Sequence, residues 1–184
     1  MKSQMTRHLL STCAAAAFAL LTSHAALAGT PVLGVELGVS TLDQVRSTQG
    51  QKAELENAGV NEYTGGPMLV SEGTGYGIEG LRKVAYIFDS QKKLAAVLMT
   101  LEKGRFDTIA RVVAGKYKLR SQERPFVGNQ QATFQTGDGV IELNAPHMSF
   151  EMTALYARSD LMQQFKTQSK RAKDAKAASE ASKF

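Results

Sequence analysis

Apolar side chains in the middle of this chain recur with two different periods. Phe106, Ile109, Ala110, Val113 and Tyr117 stand at i, i+3, i+4, i+7 and i+11. That spacing gathers side chains into one stripe of a helix, so it predicts a helix over 105–116 with the stripe packed on a sheet face. The β-rich run Lys83-Val84-Ala85-Tyr86-Ile87-Phe88, a polar stretch at 89–93 and a second apolar run at 94–101 read as an antiparallel hairpin. Residues 132–136 and 140–144 flank Gly137-Asp138-Gly139, a second hairpin whose glycines are expected to take the positive φ of a tight turn. Over 149–157, Phe150, Met152, Ala154 and Tyr156 alternate with Glu151 and Thr153, predicting a last strand with those four on the core side.

The flanks are less regular. Residues 32–39 read as an extended lead-in. Ser40-Thr41-Leu42-Asp43 reads as a capping box with Ser40 at the N-cap and Asp43 reaching back; it opens a short helix with Leu42 and Val45 on one side and Gly50 as its stop. Residues 57–80 are rich in glycine and read as loop, with Met68-Leu69-Val70 as a short strand. A terminal helix opens at Asp160, where Leu161, Met162 and Phe165 can dock; from Lys166 onward there is no large apolar residue before Phe184. These elements predict an α+β fold: antiparallel strands with helices packed on one face, forming a single domain over 29–165. A flexible, basic, low-complexity tail follows at 166–184. The order helix, loop, hairpin occurs twice, at 40–101 and 105–156, and suggests two fused repeats.

The first 28 residues read as an export signal. Lys2, Arg7 and His8 precede an apolar run ending in Ala26-Leu27-Ala28, the small-x-small pattern of a signal-peptidase site, so cleavage is expected between Ala28 and Gly29 with delivery to the periplasm. The run is too short and alanine-rich for a membrane span of ~20 strongly apolar residues. Cys13, the single cysteine, lies inside it with too little apolar length before it to serve as a lipid acceptor. The mature chain would then hold no disulfide, thiolate metal site or cysteine nucleophile, and would depend on its core for stability.

Export also changes the reading of charge. The whole chain carries a formal +5. Removing Lys2 and Arg7 leaves +3, and the tail holds six basic residues against two acidic, so it accounts for +4 and the body for −1. A near-neutral body that is exported does not track a phosphate backbone, which excludes nucleic acid as a partner. The tail reads as a solvated end with weak contact to anionic lipid as a further option.

Leu37-Gly38-Val39-Ser40-Thr41-Leu42-Asp43-Gln44-Val45, leading to Gly50, then Val84-Ala85-Tyr86-Ile87-Phe88-Asp89 and its return strand, resembles the helix-plus-antiparallel-sheet repeat of small bacterial envelope proteins. These include the SmpA/OmlA outer-membrane-assembly lipoproteins and the β-lactamase-inhibitor-protein-like domains. The resemblance implies fold and compartment. It implies no partner and no functional residue, since the lipid-acceptor cysteine of the one group and the disulfides of the other are missing here.

Candidate chemistry is sparse. Beyond the leader His147 is the sole histidine, so a Ser-His-Asp triad or a histidine-rich metal site would have to be built on it alone. Gly75-Tyr76-Gly77-Ile78-Glu79-Gly80 matches a dinucleotide fingerprint as a string but is followed by a strand rather than a helix, and reads as a loop. Glu54 and Glu56 are a strand-spaced pair without the aromatic-lined cleft a glycosidase needs. No metal or cofactor is expected. Binding character is concentrated in loop residues: Tyr63, Tyr76, Arg124 and Phe126 in glycine- or proline-rich segments, and His147 after Pro146. The composite expectation is a non-catalytic binding module of the envelope, its partner an envelope protein or other envelope component. The alternatives are a small exported hydrolase using His147, or an inhibitor of an exported enzyme.

Overall fold

The computed structural model describes residues 29–181; the signal expected over 1–28 and the terminal Phe184 lie outside the described residues. The fold is α+β and antiparallel, as the patterning predicts. A small lead-in hairpin, β1 (Pro31–Val32) and β2 (Val35–Glu36), precedes helix α1 (Leu42–Gln49). Four strands follow: β3 (Glu56–Val60), β4 (Gly65–Glu72), β5 (Leu81–Asp89) and β6 (Leu94–Glu102). Helix α2 (Phe106–Ala114) then leads to four more: β7 (Lys118–Glu123), β8 (Gln130–Gln135), β9 (Gly139–Ala145) and β10 (Glu151–Arg158). Helix α3 (Ser159–Ala181) ends the described chain.

The eight strands form one sheet in the order β3-β4-β5-β6-β10-β9-β8-β7. Each half is an up-and-down meander preceded by a helix. The halves join where the last strand of each lies antiparallel to the other, in a register running from Glu151 opposite Glu102 to Ala157 opposite Ala96.

One face of the sheet carries the main core. Val84, Tyr86, Phe88, Val97, Met99, Leu101, Phe134, Ile141, Leu143 and Met152 pack there beneath Val45 of α1 and Phe106, Ala110 and Val113 of α2. The α2 stripe is thus the one its spacing predicts, buried at full turns of the helix. The other face is covered only at one end, where Met162 and Leu161 of α3 pack on Ala96, Ala157, Ile87, Val140 and Leu155. Two helices therefore share a face and the third takes the opposite one. Alanines at the centre of the sheet let α3 approach closely. Beyond its docked turns α3 continues as exposed helix through Ala181, with i,i+4 pairs Lys170–Asp174 and Lys176–Glu180. The stretch expected to be a flexible tail is helical in this structure, yet buries almost nothing.

Several local expectations are corrected. The α1 N-cap is Thr41 rather than Ser40. Thr41 is extended, its hydroxyl accepts from Gln44 N, and the Gln44 side chain accepts from Thr41 N at 2.8 Å. Gln44 has the reach that Asp43 lacks, and a bridge between Thr41 and Lys93 holds Thr41 extended. Ser40 instead accepts from Glu36 N. The glycines at 137 and 139 do not take positive φ. Gly139 is required by contact: a Cβ there would lie 2.4 Å from Ala157 O. Its turn is closed by Thr136, whose hydroxyl accepts from Gly139 N at 2.8 Å and lies 2.6 Å from Thr30 Oγ1. Thr30 reaches the Asp138 carboxylate as well, tying the start of the domain to this turn. The loop-rich reading of 57–80 misses β3 and most of β4. Gly66 is there because strand β5 runs against it: a side chain would put its Cβ 2.2 Å from the carbonyl oxygens of Phe88 and Asp89. Phe150, assigned to the core side of the last strand, lies before β10 and is almost fully exposed.

Gly139→Ala should lower stability by about 1–3 kcal/mol, because the Cβ displaces strand β10 rather than a flexible side chain; denaturant unfolding checks it. The buried phenols set a pH dependence. Burial, then its hydrogen bond to Tyr76, raises the Tyr86 phenol far above its ordinary range, and burial, then Tyr117, pushes Tyr156 up to about 12. Ionisation is thus easier in the unfolded chain, so the stability tied to these phenols is whole below their normal value near 10 and is lost as pH rises above it. Tyr86→Phe should flatten that alkaline decline while costing about 1 kcal/mol at neutral pH for the lost hydrogen bond. Thermal melts across the alkaline range test both signs.

Candidate docking surface

The loops joining β7 to β8 and β9 to β10 emerge at the same end of the sheet, because Gln130 at the start of β8 pairs with Ala145 at the end of β9. Together they present Phe126, Val127, Met148 and Phe150, which are 103%, 67%, 91% and 95% exposed. Isolated exposed apolar residues are ordinary. Four of this size on two adjoining loops form an exposed apolar cluster, which makes this end of the sheet the candidate site.

The platform beneath them is braced rather than loose. Asn129 Oδ1 accepts from His147 N at 2.8 Å, and His147 Nδ1 accepts from Gly128 N at 3.3 Å, so the two loops are cross-linked in both directions. Gly128 sits at φ 136°, a conformation open to glycine, and that places its N–H toward the ring. Lys103, just after β6, donates from Nζ to the carbonyls of Pro146 (2.7 Å) and His147 (2.8 Å), and its own N–H donates to Phe150 O at 2.8 Å. Ser149 Oγ accepts from Glu151 N, closing the second loop onto β10. Arg124 pairs with Asp107 at the start of α2, which anchors the other loop at its base.

Of the five residues singled out as binding candidates, the structure brings three together. Arg124, Phe126 and His147 meet at this end. Phe126 projects into solvent, whereas His147 and Arg124 hold the loops. The imidazole is engaged by a backbone N–H, and among the described residues no acid or hydroxyl hydrogen-bonds to it. Tyr76 is elsewhere and partly buried: its hydroxyl bonds Ser71 at 2.8 Å and receives Tyr86 OH at 3.1 Å, which makes it a support for the core. Tyr63 lies on the side of the sheet facing α3, with its ring edge-on to Phe165 at 5.1 Å. It lines a cleft of about 230 Å³ with Ile87, Leu98, Leu155, Leu161 and Phe165.

Val127, Met148 and Phe150 escape sequence reasoning. Alternation places Phe150 inside, and the other two residues have no pattern to single them out. The usable signal is their position close to Pro125 and Pro146, in stretches with no helical or strand period. The GxGxxG string forms a 3-10 turn, Thr74–Tyr76, followed by a left-handed glycine, and opens no helix. Among the described residues no group of three or more His, Cys, Asp or Glu is placed to hold a metal, and no helix is long and apolar enough to cross a membrane. No family model, curated protein or solved structure matches the chain.

Because Lys103 satisfies two loop carbonyls at once, Lys103→Ala should loosen the 146–150 loop and cost about 1 kcal/mol. Faster hydrogen exchange confined to 103 and the two loops would show it.

Proposed function

We propose that this protein is an exported, non-catalytic binding module of the bacterial envelope, and that it docks on a partner protein through the tip formed by Phe126, Val127, Met148 and Phe150. The observation that carries the reading is the near-complete exposure of three of those four side chains on a braced platform. Burying large rings in a partner's pocket stabilises a complex by the area removed from water, and aromatic residues are enriched at such hot spots. The bracing limits the ordering entropy lost on association.

A protein partner is favoured over a bare bilayer by the charges around the tip. Arg124 is paired with Asp107 and Lys103 is bound to two loop carbonyls, so neither cation next to the rings is free to meet a lipid headgroup. The basic stretch of α3 from Lys166 onward is separate and exposed, and is suited to weak contact with anionic lipid. The leader supports the periplasmic reading: a basic start, a short apolar run and Ala26-Leu27-Ala28. Gly29 is buried against Leu37 and Val39, so on this reading cleavage precedes its docking. An inhibitor of an exported enzyme would use the same tip and differ only in its partner.

The test is affinity capture from envelope extract with the native protein, with a form lacking residues 166–184, and with the double variant Phe126→Ser, Phe150→Ser. Each exposed substitution should change stability by less than about 0.5 kcal/mol. Together they should weaken capture of a specific protein by at least about 2 kcal/mol, as hot-spot removal does. Capture unaffected by the double variant, or binding only to lipid vesicles, would sink the docking role of the tip.

A further inference from the structure

Charge in this domain is unevenly placed. Residues 105–124 hold Arg105, Arg111, Lys116, Lys118, Arg120 and Arg124 against only Asp107 and Glu123, a net of +4, while the rest of the body from 29 to 165 has eight basic and thirteen acidic residues, a net of −5. The positive segment is helix α2 and strand β7, and β7 is the outermost strand of the sheet. All six of its residues are exposed, and one side of its backbone offers unpaired N–H and C=O groups. Of the segment's six cations, Arg105 and Arg124 are engaged by Glu79 and Asp107; no acid among the described residues pairs with Arg111, Lys116, Lys118 or Arg120.

Beside that edge runs a groove between α2 and β7. Ala110, Ala114, Leu119 and the buried Phe134 form its apolar floor, and its rim holds Arg111 and the Arg124–Asp107 ion pair; its volume is about 290 Å³. A slip in register between Leu119 and Ser121 brings Leu119, Gln122 and Arg124 to this one side, although they are not evenly spaced in sequence. A free strand edge, a flanking helix and a groove that takes alternate side chains make up the arrangement by which extended peptides are added to a sheet.

We propose that the β7 edge binds an extended acidic segment of another protein as a ninth strand. Main-chain hydrogen bonds would run along β7, an apolar side chain would enter the groove over Leu119 and Phe134, and carboxylates would meet Arg111, Lys118 and Arg120. This site shares only the Arg124–Asp107 pair with the base of the tip and differs from it in chemistry. The opposite edge, β3, is acidic through Glu54, Glu56 and Glu62, which raises a second copy of the chain as a competing occupant. Both edges carry a register break, but strand β3 is the poorer template, because Gly59 at φ 86° interrupts its extended backbone whereas β7 has no residue at positive φ.

The experiment titrates the purified native protein against the fluorescent peptide acetyl-Glu-Val-Glu-Leu-Glu-Val-Glu-amide and its counterpart with lysine in place of every glutamate, with hydrogen exchange and sedimentation in parallel. The acidic peptide should bind at least about tenfold more tightly, and less so as salt rises. It should slow exchange of the β7 amides. Arg111→Glu with Arg120→Glu should reduce that affinity by about tenfold or more with the circular dichroism spectrum unchanged, and Phe126→Ser with Phe150→Ser should leave it intact. Equal binding of the two peptides, affinity retained in the double reversal, or protection at β3 instead of β7 would overturn the proposal. So would concentration-dependent oligomers whose β7 is already protected without peptide.

Discussion

The pairing of β6 with β10 is the constraint on which the rest of this structure depends. These strands end the two meanders, and among the described residues their contact is the only strand pairing that joins the first half to the second. The two strands are far apart in sequence, so loop-closure entropy opposes their meeting, and burial on both faces has to offset that cost. The strands are built accordingly. Met99 and Leu101 sit with Met152 and Ala154 under α2, while Ala96 and Ala157 face the first turns of α3. The second face of the seam is covered only at its Ala96/Ala157 end, by a helix that comes from the end of the chain, while the helix over the first face comes from its middle.

The seam also dictates where free ends and free edges fall. With β6 and β10 at the centre, the first strand of each meander is driven to the outside, so β3 and β7 become edges and both are exposed along their length. The β7–β8 and β9–β10 loops then emerge together, and Lys103 at the end of β6 is carried to within hydrogen-bonding distance of the β9–β10 loop. A surface made of three separate segments is thereby assembled by hydrogen bonds between side chains and backbone. The same geometry separates charge, leaving an acidic edge and a basic edge on opposite sides of one sheet.

The parts of the fold legible in the sequence are those whose pattern is a direct image of burial. The stripe from Phe106 to Tyr117 and the β5–β6 hairpin are readable because a helix and a strand with one or two buried faces impose their period on composition. Strands β3 and β7 are not, since an edge strand exposed along its length has no apolar alternation and is extended only because a neighbour pairs with it. Glycines mislead for a related reason. At 66 and 139 they are needed for the approach of another strand, a fact about tertiary distance that local turn chemistry does not contain. Tyr76 and Phe150 exchange places for the same cause: one loop folds back onto Tyr86, while the other ends its turn one residue before β10 begins.

What the sequence determined by itself was the α+β class, the central hairpins and the α2 stripe, because each depends on neighbours a few positions away. Only the tertiary structure decided that, of the five loop residues with binding character, Arg124, Phe126 and His147 meet while Tyr63 and Tyr76 lie elsewhere, that Val127, Met148 and Phe150 are exposed beside Phe126, and that the basic segment forms an outer edge. Those outcomes depend on which strands lie side by side. That is settled by the summed burial of the whole sheet, not by any local run of residues.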